Sequence, residues 1–220
     1  MPLSSVVGAQ SIVKPGVCTS STRPASPYDG QVIYETDTDR AMVYNGTGWV
    51  VLSTGRANPV GLDIVSTTTI GTAVSSVDVT NCFSATYDNY LVSWTTTGST
   101  GIALRLQYLT AASSLISTGY YYSGYYSSYS SPSLVSDASN NGSSFRIGTL
   151  TASTVCAGQS ILYNPFTTST KFWSGSHAST GEAYSYNGYN SSTASLPSIR
   201  ITTNTGTITG GTITVYGYAK

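Results

Sequence analysis

Six tyrosines, Tyr120, Tyr121, Tyr122, Tyr125, Tyr126 and Tyr129, crowd into one short stretch among serine and glycine. Tyrosine presents a rigid ring face and a phenol hydroxyl at small entropic cost, a mixture that binding loops favour. Ring faces stack on sugar rings and phenols bond sugar hydroxyls, so the stretch GYYYSGYYSSYSSPSLVS, residues 119–136, reads as a loop offering a surface to a host-surface glycan. The competing reading packs the same rings between subunits or over the open end of a sandwich, with hydroxyls left wet.

The other reactive side chains point to little chemistry. His177 is the only histidine, so no histidine cluster can hold a metal, and no G-x-S-x-G elbow accompanies it. It lies in the polar segment HASTGEAYSYNGYNSSTAS, residues 177–195, and is expected to be a solvent-exposed loop histidine. Asp37-Thr38-Asp39 has the start of a calcium loop, but Met42 stands where such a loop needs glycine and no Glu closes it. With Asp29 and Glu35 these acids are better explained by turns, and an exposed pair of Arg40 with Asp37 or Glu35 would contribute only ~0–1 kcal/mol. Glycoside hydrolysis needs two carboxyls held about 5 to 9.5 Å apart. Beyond residue 62 only Asp63, Asp78, Asp88, Asp137 and Glu182 remain, read as lying mostly in turns. No P-loop or dinucleotide fingerprint is present, so neither catalysis nor a cofactor is expected. Cys18, Cys82 and Cys156 show no metal or redox spacing and read as free thiols rather than a Cys82 to Cys156 bridge.

Only 8% of residues are charged and the formal net charge is zero, which removes nucleic acid and anionic membrane surfaces as partners. The opening MPLSSVVGAQSIVKPGV places its one lysine after a weak apolar run and makes a poor export signal. No stretch approaches the ~20 apolar residues of a membrane-spanning helix. Synthesis in a cytoplasm, without membrane insertion, is expected.

Period-2 patterns and turn residues position these side chains. Residues 27–54 read as a three-stranded meander, with Asn45-Gly46 as its second turn and an apolar face of Val32, Tyr34, Met42, Tyr44 and Trp49. So small a ribbon is marginal alone, so these five residues are the expected oligomerisation contacts. Residues 1–26 show no sustained period and read as an extended arm that attaches to another protein. Residues 55–62 form a Gly/Pro linker, and residues 63–220 carry short alternating strands such as Ile102, Leu104 and Leu106 against Ala103, Arg105 and Gln107. The expected fold is all-β, a small meander followed by a jelly-roll-like antiparallel sandwich.

RPASPYDGQVIYETDTD followed by VYNGTGW resembles a short module near the N-terminus of tail-fibre and head-decoration proteins of tailed-bacteriophage virions. FSATYDNYLVSW and TGTITGGTITVYGYAK are similar to segments of the jelly-roll domain that ends such proteins, whereas the central Tyr/Ser-rich part has no counterpart. The resemblance implies a virion location, a homotrimer, attachment to other virion proteins through residues 1–26, and a sandwich head for host attachment. A capsid decoration protein or head fibre needs the same parts. A secreted carbohydrate-binding module would call for an export signal and paired cysteines.

Overall fold

β-branched and aromatic residues spaced by small polar ones favour extended chain almost throughout. The computed structural model describes residues 15–52, 61–99 and 101–220, and among these it contains sixteen strands and no helix. The chain divides into two compact units, Met1–Ala57 and Asn58–Lys220.

In the first unit β1 (Gly16–Cys18), β2 (Val32–Glu35), β3 (Arg40–Tyr44) and β4 (Trp49–Val51) form one sheet in that order. The β3–β4 turn is closed by the Asn45 side chain, which accepts from the amides of Thr47 and Gly48, with Gly46 at positive φ. Two expectations change here. Residues 16–18 of the expected arm instead add as a parallel strand to β2, so its backbone groups find a partner within the chain; residues 1–14 lie outside the described residues. The five apolar residues also do not share one face. Ile33 pairs with Met42 and Tyr44 with Trp49 on one side, while Val32 pairs with Val43 and Tyr34 with Ala41 on the other. The first side is covered in part by its own chain: Ile33 and Met42 are buried, and Arg23, from the segment between β1 and β2, binds the buried carboxylate of Glu35, while Tyr44 and Trp49 stay half-buried and Val51 exposed. The expected Arg40 pair therefore yields to Arg23. The second side keeps Val17, Val32, Tyr34, Val43 and Val50 exposed or half-buried.

The second unit is an antiparallel, jelly-roll-like sandwich. Its larger sheet runs β10 (Ser131–Gly142), β9 (Tyr120–Ser128), β14 (Glu182–Asn190), β13 (Lys171–Ala178), β12 (Cys156–Tyr163), β7 (Asn89–Gly98), β16 (Ile208–Tyr218), β5 (Leu62–Ile70). The smaller runs β11 (Phe145–Leu150), β8 (Ile102–Leu109), β15 (Ser198–Thr203), β6 (Ser76–Val79). The expected linker lies outside the described residues up to residue 60, and Leu62 already opens β5. Leu104, Leu106, Ile199 and Ile201 bury completely, as their alternation requires. They meet Tyr90, Val92, Trp94, Leu162 and Trp173 of the larger sheet, each such side chain worth roughly 1.5–3 kcal/mol of burial.

The inner face of the larger sheet fits its rings by alternating large and minimal residues across strands. Gly188 lies between Tyr122 and Trp173, Tyr186 between Gly124 and Gly175, and Gly158 between His177 and Trp94. A Cβ at Gly124 would stand 2.1 Å from the Ser185 carbonyl oxygen, and one at Gly158 would stand 2.4 Å from the Trp94 ring. This packing explains why the stretches over 119–136 and 177–195, expected as loops, are instead strands β9, β10 and β14. In β9 and β14 tyrosine occurs on both faces and a glycine takes one inner position, so apolar alternation is hidden while the extended backbone is kept.

Candidate functional site

Strand geometry sends successive side chains to opposite faces, and this divides the six expected ligand-binding tyrosines. Tyr120 and Tyr122 point into the sandwich: the Tyr120 hydroxyl accepts from the Tyr108 amide at 2.7 Å, and Tyr122 stands edge-on to Trp173 and Tyr186. Burial pushes the Tyr120 phenol well above its ordinary range. Tyr126 also turns inward, stacked on Tyr184 with centroids 5.1 Å apart. Tyr121 and Tyr125 face outward, and Tyr129 lies exposed in the β9–β10 turn. The six therefore do not form one loop surface.

Tyr126 belongs to a polar cluster between the sheets. Arg146 of β11 donates to Asp137 at 3.0 Å and to Thr149 at 3.1 Å, and its guanidinium lies 5.6 and 5.3 Å from the Tyr126 and Tyr184 ring centroids. Tyr186 donates to Asp137 at 3.0 Å, and Tyr184 donates to Glu182. Burial, reinforced by the Glu182 carboxylate, pushes the Tyr184 phenol up to about 12. His177 is not a loop residue but lies in β13, only 3% exposed, with Nε2 donating to the Thr149 carbonyl at 2.8 Å and its ring stacked on Trp94. Burial pulls its pKa below the ordinary value. Among the described residues, Arg146 Nε and His177 Nδ1 have no hydrogen-bond partner.

Four of the five acids read as turn residues or candidate catalysts are in strands, and all five have partners. Asp63 accepts from Tyr87, Asp78 takes a bidentate pair from Arg200, Asp137 and Glu182 belong to the cluster above, and Asp88, outside the strands, pairs with Lys220. Cys82 and Cys156 are buried free thiols and Cys18 is a half-buried one. No group of three or more His, Cys, Asp or Glu that could bind a metal occurs among the described residues.

The outer face of the larger sheet is different in kind. Tyr121 of β9 is opposite Tyr189 of β14, Tyr189 opposite Phe172 of β13, and Phe172 opposite Tyr163 of β12, so four aromatic rings form one row across four adjacent strands. Tyr121 and Tyr189 stack with centroids 4.7 Å apart at 10°, and Phe172 lies 6.3 Å from Tyr189. Phe172 is 55% and Tyr189 37% exposed. The next row is Ser123, Asn187, Ser174 and Ile161, and the one after it Tyr125, Ser185, Ser176 and Gln159, so these rows are mostly small and polar with Ile161 and Tyr125 as their large members. Sequence reasoning missed Tyr189, Phe172, Tyr163 and Asn187; the period-2 pattern of AYSYNGYN and KFWSGSHA was the available signal.

No helix among the described residues is long and apolar enough to cross a membrane. Against protein-family models, curated proteins and solved structures, the chain shows no significant match.

Proposed function

We propose that this chain is a non-enzymatic structural protein of a tailed-phage virion, a trimeric adhesion appendage anchored by its N-terminus. Its sandwich unit serves host attachment by glycan binding. The reading rests on the virion-protein resemblance of residues 23–49 and 205–220. One structural observation carries its assembly part. The four-stranded unit buries Ile33, Glu35 and Met42 on one face, whereas on the other, among the described residues, no apolar side chain is buried and Val17, Val32, Tyr34, Val43 and Val50 stay exposed or half-buried. A sheet of this size gains stability by covering such a face, and copies of the same chain are the partners a homotrimer supplies. Of the five expected contacts, Val32 and Tyr34 belong to that face, whereas Met42, Tyr44 and Trp49 lie on the opposite one.

Light scattering on the full chain tests this. The expected mass is three times 23.0 kDa. Val50→Asp, which places a charge on the open face, is expected to give monomers, and Trp49→Ala to leave the assembly intact. A monomeric wild-type chain, or an unchanged trimer in Val50→Asp, would count against the assembly proposed.

A further inference from the structure

We propose that the outer face of the larger sheet across β9, β14, β13 and β12 is the binding site for an uncharged oligosaccharide, with Tyr121, Tyr189, Phe172 and Tyr163 as its stacking row and Asn187 as its central polar contact. The proposal rests on the glycan-binding reading above and moves its site from the tyrosine-rich segment to residues gathered from four strands.

The chemistry of the face selects this ligand. None of the outward positions that these four strands share in register carries a charge, although the chain has nine cations and nine acids to place. An anionic polymer or a charged peptide therefore finds no complement. Beside the aromatic row, Ser123, Ser139 and Asn187 line a shallow depression of about 420 Å³ together with Tyr121 and Tyr189. A second, of about 220 Å³, is lined by Gln159, Ser174, Ser176, Ser185 and Asn187 around the apolar side chain of Ile161. Asn187 is exposed and lines both. The side chains of Ser123, Gln159, Ser176, Ser185 and Asn187 make no hydrogen bonds to other described residues. An aliphatic partner would bury that capacity unpaired. A pyranose chain presents both halves of the match, C–H faces for rings and hydroxyls for amides and serines.

The geometry is also preorganised. The rings stand on interior strands of an eight-stranded sheet rather than on a loop, and the Tyr121–Tyr189 stack fixes two of them before any ligand arrives. Three strand intervals place the ends of the row about 14 Å apart, the scale of a short oligosaccharide rather than of a single sugar. Each site would bind weakly, and several copies on one particle would raise the avidity.

The test uses the full chain on an array of bacterial-surface oligosaccharides, neutral and acidic, with light scattering on every variant. Wild type is expected to bind one or more neutral glycans, and Phe172→Ala and Tyr189→Ala to weaken that binding about tenfold or more. Asn187→Ala should do the same, and Tyr129→Ala, in the β9–β10 turn, should leave it unchanged. Binding to no neutral glycan on the array, or equal binding by Phe172→Ala, overturns the site. So does an assembly that wild type forms and Phe172→Ala loses, since the face would then join copies of the chain. Failure of the trimer reading appears separately, as a monomeric wild type that still binds glycan.

Discussion

At the residue scale the interior of the sandwich is set by single atoms. Gly158 lies between His177 and Trp94, and a methyl there would press on the indole at 2.4 Å. Gly158→Ala is therefore expected to destabilise the protein by about 1–3 kcal/mol, seen as a lower midpoint in denaturant with unchanged slope. His177 makes a second residue-scale prediction. Because burial pulls its pKa below the ordinary 6.5, the folded protein keeps the ring neutral while the unfolded chain takes up a proton. Its contribution is complete above about pH 6.5 and is lost as pH falls from there towards the folded value, at up to about 1.4 kcal/mol per pH unit. Unfolding midpoints measured from pH 7.5 down to 5 should fall in wild type and fall less steeply in His177→Gln.

At the element scale the N-terminal sheet depends on the segment between its first two strands. Arg23 and the Thr38 hydroxyl hold the Glu35 carboxyl below its usual range, although its side chain is only 1% exposed. A depressed carboxylate pKa stabilises the fold above the ordinary carboxylate range, and that stabilisation disappears as pH falls through the folded value. Amide exchange of Ile33 and Met42 should remain slow at neutral pH and accelerate in acid. In Arg23→Ala the acceleration should begin at a higher pH, because Glu35 has lost its cation; an unchanged profile would remove Arg23 from this role. The turns of this sheet were legible in Asn45-Gly46, but the assignment of faces was not. Val32 and Met42 are both apolar and both in strands, and only the pairing of Ile33 with Met42 shows that they point opposite ways.

At the scale of the whole molecule, the two compact units imply separable stability. A chain shortened to residues 58–220 is expected to keep the sandwich's thermal midpoint, because its core draws on buried residues from Ile70 to Val215. A large fall in the midpoint would show that the N-terminal unit supports the sandwich.

The sequence alone determined the fold class, the turns and most of the short apolar strands, because alternation and turn chemistry are local properties of the chain. It also showed how few charges there are to place, 8% of residues with a formal net charge of zero. It did not reveal β9, β10 and β14; in β9 and β14 tyrosines serve both faces, and Gly124 and Gly188 each take one inner position. Only the tertiary structure decided that Tyr121 and Tyr122, neighbours in the chain, lie on opposite sides of a sheet. It alone decided that Tyr121, Tyr163, Phe172 and Tyr189 stand in one row. Strand order and register between distant segments are set by how the whole core packs, and local periodicity carries no record of which strand will be whose neighbour.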